Sequence, residues 1–178
     1  MSFDEKAKDW DKDPKKVSRA KLFADEIVGF LNGYKVENAL EFGSGTGLVS
    51  FNLFKRFDNI TLADTSRGMI EVLKEKIEMT GAENMKPLLI NILEEPLPGT
   101  RFEIIYTLLT LHHIHDVKNA QGQVFGPLYV FLIIKIARPR IQEQGPTGFK
   151  FFQCFLRRYT GNGFVEQVLR TKGNTIWI

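Results

Sequence analysis

The chain has 178 residues, 43% apolar and 25% charged, with a net charge of +3: enough for one ordinary core, and too little charge to argue for nucleic acid or membrane partners. A single cysteine, Cys154, excludes an internal disulfide and fits a reducing compartment. The start is charged, and the longest apolar run, Leu128 to Ile134, falls far short of the roughly 20 residues that span a bilayer, so one cytoplasmic domain over 1–178 is expected.

Asp13-Pro14 reads as a helix start, because Asp can cap the first N–H groups and Pro is tolerated at the first helical position. Val17, Ala20, Ala24, Ile27, Val28 and Leu31 then recur at helical steps, and Asn32-Gly33 stops the helix. Ala39 to Phe42 is a short strand entering the glycine-rich turn Gly43-Ser44-Gly45-Thr46-Gly47, and Leu48 to Phe57 is predicted as a helix. Asn59 to Ala63 is a second strand, ending at Asp64. Ser66 caps a helix through Thr80, closed by Gly81. Pro87 to Ile90 and Phe102 to Leu108 are the third and fourth strands, with a turn at Pro96 to Gly99 between them. Strands alternating with helices predict an α/β, Rossmann-like, mostly parallel sheet with helices on both faces.

Gly43, Gly45 and Gly47 let the chain turn sharply and let its backbone approach a ligand with no Cβ in the way. Asp64, at the end of the second strand, can accept hydrogen bonds from both ribose hydroxyls of a nucleoside. A dinucleotide site prefers G-x-G-x-x-G with a helix N-terminus on the pyrophosphate. Here the spacing is G-x-G-x-G, and Glu41 precedes it. An anion in front of the loop repels a pyrophosphate and suits the cationic amino-acid end of S-adenosylmethionine. Electrostatics therefore favours a sulfonium ligand over NAD.

Residues 39 to 47 resemble motif I of the class I S-adenosylmethionine-dependent methyltransferases, and Leu62 to Met69 resembles the family's acidic second motif. Phe102 to Thr107 followed by Leu111-His112-His113-Ile114 is similar to its strand-four motif, and Phe3, Ala7, Trp10-Asp11 and Pro14 to the opening of small members. The resemblance covers roughly residues 3 to 116. It implies methyl transfer to a small-molecule N, O or S nucleophile. It further implies a cofactor site of Glu41, Gly43, Ser44, Gly45, Gly47, Asp64, Thr65, Met69, Asn91, Ile92 and Thr107. Within it Glu41 holds the methionine end, Asp64 the ribose, and Met69 and Ile92 flank adenine. Asn91 stands where the family often has Asp, and its amide can still hydrogen-bond. Met69 also reads as a core residue, and Trp10 reads first as packing.

His112, His113 and His115 fall together. Three ligands within four residues after a strand rarely converge on one centre, and no cysteine supports them, so no metal site is expected. The resemblance places residues after strand four at the substrate pocket, where His112 can act as a base or simply shape the wall. Methyl transfer needs mainly proximity and in-line geometry, so no base is compulsory.

After Asp116 the family pattern stops. Residues 117–178 carry nine basic residues against two acidic ones, a local net of +7 that leaves −4 for the first 116. Leu128 to Ile134 can be a fifth, doubly buried strand. Phe149, Phe151, Phe152 and Phe155 alternate with Lys150, Arg157 and Arg158, which fits a core strand with a basic rim better than single-stranded nucleic acid. A tail of separate origin joined to a methyltransferase front half, leaving the sheet without its closing strands, is the third reading. The functional rivals are a non-catalytic cofactor-binding scaffold and a nicotinamide oxidoreductase.

Overall fold

The computed structural model describes residues 2–31, 33–91, 94–97 and 102–110 in full, and the backbone of 131–136, 153–160 and 163–169. The first elements are α1 (Phe3–Lys6), a 3-10 helix (Ala7–Lys12) and α2 (Pro14–Leu31). Strands β1 (Val36–Phe42) and β2 (Phe57–Asp64) follow, then α3 (Arg67–Thr80), β3 (Met85–Leu89) and β4 (Ile104–Leu108). Three further strands are β5 (Phe131–Ile136), β6 (Gln153–Thr160) and β7 (Gly163–Leu169).

The seven strands form one sheet in the order β3-β2-β1-β4-β5-β6-β7. Pairings from β3 through β5 are parallel, as α/β crossovers require. The order reverses between β1 and β4, because β1 runs outward to β2 and β3 on one side while the chain returns to its other side. A crevice outside the carboxyl ends of β1 and β4 follows from that topology. On β5, β6 and β7 are added as an antiparallel ribbon, a closure that the sequence left open.

One core joins α2 and α3 to the sheet. Ala20, Phe23, Ala24, Ile27 and Leu31 of α2 are buried with Ile60 and Leu62 of β2, Ile104 and Tyr106 of β4, and Leu73 of α3. Phe23 belongs to this face as well, while Val17, at a helical step on the apolar stripe, is exposed. The cap of α3 is as expected: the Ser66 hydroxyl accepts from Met69 N at 3.2 Å, and Gly81 ends the helix at φ +65°.

Leu48 to Phe57 is a correction. Only a 3-10 turn, Ser50–Asn52, forms there, and β2 already begins at Phe57. Val49, Ser50, Phe51, Asn52, Phe54 and Phe57 are weaker helix formers and outnumber Leu48, Leu53, Lys55 and Arg56. Its hydrogen bonds repeat at three residues, with Asn52 N to Val49 O at 2.9 Å, Leu53 N to Ser50 O at 2.8 Å and Arg56 N to Leu53 O at 2.7 Å.

Candidate functional site

The chain leaves β1 through a tight turn. Gly43 N and Ser44 N both donate to the Ala63 carbonyl of β2, at 2.8 and 3.1 Å, so the loop is tied to the neighbouring strand from its first residue. Gly43, Gly45 and Gly47 all have positive φ, +67°, +54° and +77°. At Gly43 a Cβ would lie 2.1 Å from a Thr110 side-chain atom, and at Gly47 2.7 Å from Leu73. Glycine is required at both by conformation and by contact. Gly45 differs: nothing lies closer than 3.9 Å to its missing Cβ, so its open side belongs to the cavity beyond.

Asp64 closes the other edge of that turn. Its carboxylate accepts from Gly45 N at 2.7 Å and from Ser66 N at 2.9 Å. Two fixed donors orient the carboxylate and leave further lone pairs for a ligand.

The cavity, of about 480 Å³, sits at the carboxyl ends of β1, β2 and β4. That is a usual size and place for a small-molecule site. From the predicted set it brings together Glu41, Gly43, Ser44, Gly45, Asp64, Thr65, Met69 and Asn91. Gly47 does not line it, since its Cα faces Leu73 and Phe51 instead. Thr107 does not line it either; its hydroxyl is buried with no hydrogen-bond partner among the described residues. Ile92 and His112, with His113 and His115, lie outside the described residues.

Glu41 lies at the floor, 2% exposed. The Ser50 hydroxyl donates to Glu41 Oε2 and lies 2.6 Å from the Tyr106 hydroxyl. Burial pushes the Glu41 carboxyl up to about 8, against the opposing pull of its Ser50 hydrogen bonds and with a further push from the Asp64 charge. Burial and the neighbouring Glu41 also hold the Tyr106 phenol well above its ordinary value. Beside Glu41, Ser44 is 6% exposed and its hydroxyl has no partner among the described residues. An orphaned hydroxyl on a cavity wall is a group that a ligand can satisfy.

Several lining residues were missed by sequence reasoning. Phe3 and Trp10 form an edge-to-face pair with centroids 5.9 Å apart, and both line the cavity, so Trp10 is more than packing. Lys16 and Arg19, one helical turn apart on α2, add two cations. Lys16 lies 3.7 Å over the Trp10 ring, whereas Arg19 has no ion pair or hydrogen bond among the described residues. The available signal was their position beside the apolar stripe of the helix that leads into β1. Leu108, Leu109 and Thr110, just past β4, complete the wall. Leu109 has φ +58°, a strained value for leucine of the kind found at ligand sites. Among the described residues no group of three or more His, Cys, Asp or Glu is arranged to hold a metal ion, and no helix is long and apolar enough to cross a membrane.

Comparison with known proteins agrees with this architecture. The pattern of a methyltransferase domain matches residues 39–126. Malonyl-(acyl-carrier protein) O-methyltransferase 1 of Ilyobacter polytropus is 34% identical over 115 residues, covering 63% of this chain and 40% of that protein. The chain thus spans about two fifths of the length of that relative. Among solved structures, an S-adenosylmethionine-dependent methyltransferase from Aquifex aeolicus superposes with a TM-score of 0.65 at 22% identity, covering 80% of this chain and 77% of that one. The cyclase SpnF shares the fold at a TM-score of 0.60 and 15% identity, covering 73% of this chain and 50% of its own. Glycine turn, acid after β2 and sheet order converge with these matches: residues 39–126 match a methyltransferase domain, and the chain has the fold of the class I S-adenosylmethionine-dependent methyltransferases.

Proposed function

We propose that the cavity binds S-adenosylmethionine and that the chain, as one domain, transfers the methyl group to a small-molecule N, O or S nucleophile. The observation that carries this reading is the pairing of Gly45 N with the Asp64 carboxylate beside a buried Glu41. The residues fit the cofactor's chemistry. Asp64 offers lone pairs to ribose hydroxyls, and the open face of Gly45 gives room for a close backbone approach. Glu41 answers the ammonium end, and Arg19 with the orphaned Ser44 hydroxyl answers the carboxylate. Met69 and Asn91 border the adenine side, with Thr65 next to Asp64; Ile92, assigned there by the family resemblance, lies outside the described residues.

Bound there, the cofactor supplies an electrophilic methyl group on sulfur. The protein's task is to exclude water and aim the acceptor in line with that methyl, a task supported by Phe3, Trp10, Leu109 and Thr110 in the cavity wall. His112 is carried over from the family resemblance as a candidate base or wall residue and lies outside the described residues. The Ilyobacter relative is named for O-methylation of a malonyl group, which makes carboxylate-bearing acceptors the first class to screen.

A second reading is a cofactor-binding protein without methyl transfer, favoured by the likeness to a cyclase of the same fold. A nicotinamide site is disfavoured by the glycine spacing. Calorimetric titration with S-adenosylhomocysteine, with an Asp64→Ala variant and NAD as controls, tests the reading. Binding that weakens at least about tenfold in the variant, with NAD silent, is expected. A folded protein that ignores S-adenosylhomocysteine would refute it. Binding without turnover across a broad acceptor screen would favour the second reading.

A further inference from the structure

The segment over the cavity mouth is held in an unusual way. α1 has no buried residue and the 3-10 helix only Ala7, so apolar burial cannot fix residues 3–12 in place. Polar anchors do so instead. Near one end, Asp4 Oδ1 accepts from Ser66 Oγ at 2.6 Å and from Gly68 N at 2.8 Å, on the first turn of α3. Near the other, Lys76 of α3 donates to Asp11 Oδ2 at 2.5 Å and to the Thr46 carbonyl at 2.7 Å, while the Thr46 hydroxyl donates to Asp11 Oδ1. Lys76 Nζ also lies 4.5 Å over the Phe51 ring.

Thr46 stands between two glycines of positive φ, in a turn whose own side chains restrain it little. One ammonium group therefore touches both the strap that carries Trp10 and the loop that would wrap the cofactor. The ion pair is only partly exposed, 20% for the Lys76 side chain and 32% for Asp11, so water screens it less than a surface pair. From this geometry we infer that Lys76 is a positioning residue of the cofactor site. It clips the Asp11 end of the strap to the Thr46 turn, so that Trp10 and the glycine loop close over the ligand as one unit. This goes beyond, and rests on, the proposed cofactor reading.

The test uses the full chain with Trp177→Phe, which leaves Trp10 as its single tryptophan. Lys76→Met keeps an unbranched apolar side chain and removes the donors; Lys76→Arg restores a charge. Acrylamide quenching of Trp10 without ligand reads the clip, and stopped-flow dissociation of S-adenosylhomocysteine reads its effect on the site. Lys76→Met should quench more readily and release the ligand roughly five- to thirtyfold faster, with association little changed and Lys76→Arg in between. A purely structural lysine would lower the melting temperature and leave dissociation untouched, which overturns the inference. Unchanged quenching overturns it as well. A parent protein that fails to bind S-adenosylhomocysteine ends the cofactor reading and this role together, while the quenching result still reports separately whether the clip exists.

Discussion

Glu41 offers the sharpest quantitative test, because one buried carboxyl links stability, pH and ligand binding. In the folded chain it keeps its proton up to about pH 8; unfolded, it releases it near the ordinary 4.5. Between these values the unfolded state binds fewer protons, so this group's contribution is fully present below 4.5 and is lost as pH rises through 8. The gap between 4.5 and about 8, at ~1.4 kcal/mol per pH unit, amounts to about 5 kcal/mol. Glu41→Gln keeps the shape and a hydrogen-bonding amide but does not titrate. Urea unfolding of both proteins from pH 5.5 to 8 should show their stability difference drifting by roughly 3 kcal/mol, with the parent losing ground as pH rises. Titrating groups that do not interact with Glu41 cancel in that difference. Two parallel stability curves would refute the burial argument. With ligand, the ammonium of S-adenosylhomocysteine beside Glu41 should drive out its proton. Calorimetry at pH 7 in buffers of different ionisation enthalpy should show release approaching one proton, and none in Glu41→Gln.

Two further perturbations separate the cavity's parts. Arg19→Met should weaken S-adenosylhomocysteine by roughly tenfold or more yet spare methylthioadenosine, which lacks the amino-acid end; equal losses by titration would remove Arg19 from the carboxylate subsite. Gly47→Ala should cost about 1–3 kcal/mol in urea unfolding, because it sets a Cβ at φ +77° and 2.7 Å from Leu73; an unchanged midpoint would mean that the turn relaxes freely.

The readable parts of this chain are those in which local chemistry and tertiary demand agree. Asp13-Pro14, Ser66 and Gly81 are caps in sequence and caps in structure, and the β1 turn is marked by glycines that conformation itself requires. Residues 48–57 misled because their apolar content permits a helix, while Ser50 is drawn to the Glu41 and Tyr106 side chains and the run tightens into 3-10 turns. Gly47 and Thr107 carry the family's motif yet do not line the cavity, which spacing alone cannot foresee. Lys16, Arg19 and Lys76 were invisible for the opposite reason. A cation on a helix face looks solvated until the segment that covers it is known, and the covering strap precedes α2 by only a few residues.

The sheet order also dictates an order of events at the ribosome. Ala39 of β1 pairs with Ile60 on one side and with Ile104 on the other. The nascent chain can therefore zip β1, β2 and β3 together while the opposite edge of β1 stays open, for some seconds at roughly 5–20 residues per second. Glu41 faces Tyr106 across the β1–β4 register, so until β4 arrives its carboxyl is in water and ionised at neutral pH. Docking of β4 sets Tyr106 against Glu41, and burial there favours the protonated carboxyl. An alkaline medium should therefore slow the docking of β4 more than it slows the pairing of β1, β2 and β3.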